Sequence, residues 1–215
     1  STLDQINKGN IGDLNVAWIH QPGAIEQGLE ATPVVIDGIM YYASSYNRVF
    51  ALDAATGKEL WHYYPDLDPV VDELFFTPYT RGVNVSNGNV NIGTLDGRAI
   101  ALDQKTGKEV WSVQLVDTTK CACNFTSPPV LAGDTLIYGQ TAGEYPIQGK
   151  VFGLNPKTRQ TGSAIEWKWG DCVYNAPSDT IAANASGTGS FVLKSLLETP
   201  ALYNIGDIDY SGWYG

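Results

Sequence analysis

The side chains best suited to covalent or metal chemistry are few: three cysteines, two histidines and one methionine in 215 residues. Cys121, Cys123 and Cys172 contain no Cys-x-x-Cys pair, which argues against a zinc knuckle. Two readings stand for them. One disulfide joins Cys172 to Cys121 or Cys123, as an oxidising compartment would permit, or all three are buried free thiols. His20 and His62 are too few for a His-rich transition-metal site, whereas a hard cation held by oxygen ligands stays open. Oxygen donors abound, because 23 acidic residues outnumber 13 basic ones for a formal net charge of -10. Such a surface repels phosphate backbones and argues against a nucleic-acid partner. Asn84-Val85-Ser86, Asn124-Phe125-Thr126 and Asn184-Ala185-Ser186 match the glycosylation sequon, a weak signal in a chain rich in these residues. With no initiating Met, Ser1 reads as following a processing site or opening a fragment.

The elements that must position these groups are legible as repeats. Ala51-Leu52-Asp53-Ala54-Ala55-Thr56-Gly57-Lys58-Glu59-Leu60-Trp61 recurs 50 residues later as Ala101-Leu102-Asp103-Gln104-Lys105-Thr106-Gly107-Lys108-Glu109-Val110-Trp111. Gly38 and Gly88 share that offset. A looser third copy runs from Gly133 through Val151-Phe152-Gly153-Leu154-Asn155, with Thr161-Gly162 and Trp167 standing for the Thr-Gly and the Trp. Each unit reads as two hairpins, four short strands in all, which is one blade of an all-β propeller. In the turn, Asp or Asn bonds backbone amides, Gly supplies positive φ, and the Trp packs between neighbouring blades. The blades are expected at 18–61, 62–111 and 112–169, with 170–215 an irregular excursion toward the next. Residues 10–18 read as a lone outer strand ending in Trp18. No stretch approaches the roughly 18 apolar residues of a membrane span.

These repeats resemble the tryptophan-docking motif of the pyrroloquinoline quinone (PQQ) dependent alcohol dehydrogenases, which are eight-bladed propellers. Gly28-Leu29-Glu30-Ala31-Thr32-Pro33 is similar to that family's first-blade signature. Arg81-Gly82-Val83 with Gly93-Thr94-Leu95-Asp96-Gly97-Arg98 resembles its second, and Ala142-Gly143-Glu144-Tyr145 its third. The resemblance implies PQQ in the axial funnel, contacted by Glu30, Arg81, Thr126, Ala142 and Gly143, with Glu144 ligating Ca2+ or a lanthanide ion. Arg81 would pair with a cofactor carboxylate and Thr126 would donate its hydroxyl. The metal would polarise the quinone carbonyl that accepts hydride. It also implies an alcohol substrate, a separate electron acceptor such as a cytochrome c, and a periplasmic or secreted location.

Two departures qualify the resemblance. Many family members carry adjacent cysteines just ahead of the Arg81 position, where this chain has Phe75-Phe76. The family's catalytic Asp belongs to later blades, so no catalytic residue is expected within these residues. The chain is therefore expected to be the N-terminal part of a larger ring, completed by the rest of the propeller or a companion chain. The alternative is a non-catalytic secreted scaffold that kept the blades and lost the cofactor. A closed four-bladed ring is disfavoured, because only three units are visible. No Cys-x-x-Cys-His is present for a c-type haem.

Overall fold

The computed structural model describes residues 5–23, 28–74, 78–141, 149–156, 161–167, 180–182 and 190–192, the last three runs as backbone only. Three antiparallel four-stranded sheets carry the chain. The first holds β1 (Val34–Ile36), β2 (Ile39–Ser44), β3 (Arg48–Asp53) and β4 (Glu59–Tyr63), paired in chain order. The second repeats it with β5 (Asn84–Ser86), β6 (Asn89–Gly93), β7 (Arg98–Asp103) and β8 (Glu109–Gln114). The third contains β9 (Val130–Ala132), β10 (Thr135–Gly139), β11 (Gly149–Leu154) and β12 (Thr161–Trp167). Asp37-Gly38 and Asn87-Gly88 join the first two strands of their sheets with both residues at positive φ, as a tight hairpin requires. Within 170–215, read as irregular, β13 (Thr180–Ala182) pairs antiparallel with β14 (Ser190–Val192). Among the described residues no helix is long and apolar enough to cross a membrane.

The sheets stack because their third strands sort side chains by size. Val49 and Ala51 face the second sheet, and Ile100 and Leu102 meet them in one buried cluster with Tyr41, Val90 and Ile92. On the other face of the second sheet, Ala99 and Ala101 receive Phe152 and Leu154 of the third, together with Phe125, Leu136 and Tyr138. Large residues thus face back toward the preceding sheet and small ones forward, so the layers interdigitate. Each fully buried Leu or Ile in these layers contributes about 1.5–3 kcal/mol.

The Asp-x-x-Thr-Gly turn folds as its residues dictate. Asp103 Oδ1 accepts from the Thr106 amide at 2.8 Å, the Thr106 hydroxyl at 2.7 Å and the Lys105 amide at 3.2 Å. Asp53 repeats this arrangement with Thr56 and Ala55. The Thr106 hydroxyl bond, then its amide, holds the Asp103 carboxyl below the usual carboxylate range. A lowered carboxyl contributes stability above its unfolded value of about 3.9 and loses it as pH falls through the folded value. Asp103→Ala is therefore expected to lower the melting temperature at pH 7. The gap from the parent should close as melting is repeated below pH of about 4.

The glycine of each turn receives the preceding tryptophan. Trp61 Nε1 donates to Gln104 O at 3.1 Å, and Trp18 Nε1 donates to Ala54 O at 3.1 Å. A Cβ on Gly107 would stand 2.5 Å from Trp61 Cε3, and one on Gly57 2.5 Å from Trp18 Cδ2. Trp18 docks although residues 14–22 form no strand, contrary to the lone outer strand read from sequence. A strand needs a hydrogen-bonded neighbour, and none lies beside this segment among the described residues. The third repeat also departs. Trp61 opposes Ala51 and Trp111 opposes Ala101, but the partner of Gly153 is Ser163, while Trp167 lies opposite Gly149. Thr161 comes six positions after Asn155, against three from Asp53 to Thr56, and Thr161-Gly162 falls inside β12. Consistent with this, buried Trp111 Nε1 has no acceptor among the described residues.

Candidate functional site

The segments leading into β1, β5 and β9 converge. Thr32 N–H donates to Arg81 O at 3.1 Å, and Arg81 N–H donates to Thr126 O at 2.7 Å. Thr32 and Gly82 form a parallel bridge. Three sheets thereby deliver one residue each to a shared place. Arg81 Nη1 donates to Thr126 Oγ1 at 3.0 Å, and Arg81 Nε stands 3.5 Å from Glu30 Oε2. Sequence reasoning named all three residues, and the structure brings them together.

Ala142, Gly143 and Glu144 lie outside the described residues, as do Phe75-Phe76. Thr141, just ahead of Ala142, is tied to the same region. Its amide donates to Asn124 O at 2.9 Å, and its hydroxyl contacts Asn124 O and Oδ1. Asn124 lies two residues before Thr126. Nothing in the sequence pattern signalled this clamp, because it depends on how the second and third sheets meet. The same holds for Tyr79, whose ring lies 4.9 Å from Arg81 Cζ, and for buried Thr80, whose hydroxyl donates to Thr126 O at 3.3 Å.

The cysteine expectations are both corrected. Cys121 and Cys123 are disulfide-bonded to each other, and Cys172 lies outside the described residues. The reason is local. α1 (Thr118–Cys121) ends at Ala122 in the left-handed conformation, φ 50° and ψ 20°, with its N–H donated to Thr118 O. That reversal brings the two Cα atoms to 5.0 Å, inside the range of about 4.4–6.8 Å that a disulfide spans. The bridge sits between β8 and Thr126, as its sequence position implies.

The Gly93–Arg98 motif is structural in this setting. Arg98 Nη2 lies 2.6 Å from Asp96 Oδ2 and also donates to Asp66 O at 2.8 Å. The Asp68 amide donates to Asp96 Oδ2 at 3.2 Å, so the pair pins the link after β4. Asp96 is only 7 % exposed, and breaking such a buried pair leaves an uncompensated charge.

Chemically, the site presents one guanidinium with spare donors. Arg81 is 47 % exposed and Glu30 42 %, so both reach the solvent side of the cluster. A guanidinium has five N–H groups in a planar fork, and Thr126 engages one of them here at close range. The set of guanidinium, hydroxyl and carboxylate fits a polar ligand carrying carboxylates and other acceptors.

The glucose/ethanol/alcohol dehydrogenase β-propeller domain model matches residues 1–190. The quinohemoprotein alcohol dehydrogenase of Comamonas testosteroni is 36% identical over 180 residues, covering 83% of this chain and 24% of that protein. The quinoprotein alcohol dehydrogenase PedH of Pseudomonas putida is 38% identical over 162 residues, covering 73% and 26%. Among solved structures, a europium-containing methanol dehydrogenase superposes with TM-score 0.72 at 33% identity over 77% of this chain and 29% of that one. The chain thus spans about a quarter of the length of the relatives it matches. Three four-stranded antiparallel sheets, tryptophan docked on the turn glycine of the next, and a match over 190 residues make this chain a member of the glucose/ethanol/alcohol dehydrogenase β-propeller domain family.

Proposed function

We propose that this chain is the N-terminal, cofactor-facing part of a PQQ-dependent alcohol dehydrogenase. The observation that carries the reading is the Glu30–Arg81–Thr126 cluster, assembled from the leads of three successive blades. PQQ has three carboxylates and an ortho-quinone, and the cluster offers the donors such a rim needs. Arg81 would hold a carboxylate, Thr126 would orient the rim, and Glu30 would keep the guanidinium in place. Ala142 and Gly143 would admit close backbone approach, and Glu144 would ligate Ca2+ or a lanthanide ion. Bound PQQ with its metal supplies the hydride acceptor for alcohol oxidation. The substrate is an alcohol, the electrons leave to a separate acceptor such as a cytochrome c, and the protein works in the periplasm or outside the cell. The remaining blades supply the catalytic base.

The test is reconstitution of the full-length protein with PQQ and either Ca2+ or La3+, followed by dye-linked alcohol oxidation. Bound-quinone absorbance and turnover support the reading. Their absence with both metals leaves the non-catalytic propeller scaffold in its place. Arg81→Ala should weaken PQQ affinity on the order of 10- to 100-fold, the loss of one charge-assisted hydrogen-bonded contact. Equilibrium binding of PQQ to the apoprotein measures it.

A further inference from the structure

We infer that Tyr79 is a positioning residue for Arg81, an inference that rests on the cofactor reading above. Residues 78–82 are pinned on both sides: Tyr46 N–H donates to Pro78 O at 2.8 Å, and the Arg81 backbone bonds Thr126 and Thr32. Tyr79 and Arg81, two residues apart, bring their side chains together. The Tyr79 ring lies 4.9 Å from Arg81 Cζ, and its hydroxyl accepts a long bond from Nη2 at 3.4 Å. With Nη1 held by Thr126, the guanidinium lies over the Tyr79 ring and is tethered at two corners. A free arginine carries about 2 kcal/mol of rotamer entropy, which a bidentate contact must otherwise remove. Tyr79 removes part of it in advance of an anionic ligand, and Arg81 stays 47 % exposed to meet one.

The experiment is equilibrium PQQ binding to the full-length apoprotein, followed by quenching of tryptophan fluorescence. Tyr79→Phe keeps the ring and should bind within about twofold of the parent, whereas Tyr79→Ala should weaken binding about 3- to 20-fold. In an Arg81→Ala background Tyr79→Ala should change nothing further. Full affinity in Tyr79→Ala, or an undiminished effect without Arg81, overturns the positioning role while leaving the cofactor reading intact. Undiminished affinity in Arg81→Ala overturns the assignment of Arg81 to a cofactor carboxylate, and no PQQ binding by the parent overturns the cofactor reading itself.

Discussion

Gly107→Ala is expected to destabilise the protein by about 2–4 kcal/mol, the sum of a strained backbone and a displaced ring. The two contributions are separable within one sheet. Gly88 and Gly107 both sit at positive φ, 76° and 69°, so alanine pays a left-handed penalty at either position. A Cβ on Gly88 meets nothing within 4 Å, whereas one on Gly107 meets Trp61 Cε3 at 2.5 Å and Cδ2 at 2.7 Å. Trp61 cannot simply retreat. Its indole donates to Gln104 O, and β4 carries it in register against β3. Gly88→Ala should therefore cost about 1–2 kcal/mol, and the excess at Gly107 measures the tryptophan docking. Gly57→Ala provides a third point, because Trp18 rides on a segment without a sheet partner among the described residues and can swing away. Denaturant melts of the three variants should rank Gly107 as the most damaging. Equal losses at Gly88 and Gly107 would show that the ring contact contributes nothing.

Much of this architecture is local and hence legible in sequence. Asp103 and Thr106 lie three residues apart and close their own turn, so copying the segment copies the fold. Trp61 comes at fixed spacing after its own turn and reaches the equivalent turn one blade on. The candidate site was legible differently. Glu30, Arg81 and Thr126 were each identified by resemblance, and only the inter-blade backbone bonds show that they meet. Illegible features share one cause, a local irregularity that changes the direction or register of the neighbouring chain. Ala122 in the left-handed region pairs Cys121 with Cys123, which no spacing rule favoured over Cys172. The register shift at Ala51/Leu52 puts Glu59 on the same face as His62, 2.7 Å from its Nδ1, against strand alternation. The three extra residues between Asn155 and Thr161 move the third copy out of phase, so Trp167 lies at the far end of β12 from the expected register.

Phe125→Ala should cost about 3–5 kcal/mol and weaken the candidate site as well, because one residue serves both. Phe125 is fully buried between the second and third sheets. It stands edge-to-face with Tyr138 at 5.9 Å and with Phe152 at 5.8 Å between ring centroids. The facing position is Gly93, where any Cβ would lie 2.4 Å from Phe125 Cβ, so the ring fills a space shaped for it. Its amide donates to Thr94 O, which fixes the backbone one residue before Thr126. Removing the ring opens a cavity in the layer that holds the Thr126 carbonyl and hydroxyl against Arg81. Phe125→Leu fills most of that volume and should cost about 1–2 kcal/mol, with Thr126 retained in place. Urea melts of the full-length apoprotein would order the two variants, and PQQ affinity would be measured where each remains folded. An affinity loss in Phe125→Ala that Phe125→Leu largely restores would tie blade packing to the Arg81–Thr126 contact. Affinity unchanged in a destabilised Phe125→Ala would show instead that the backbone bonds from Arg81 to Thr126 hold the site without the core beneath it.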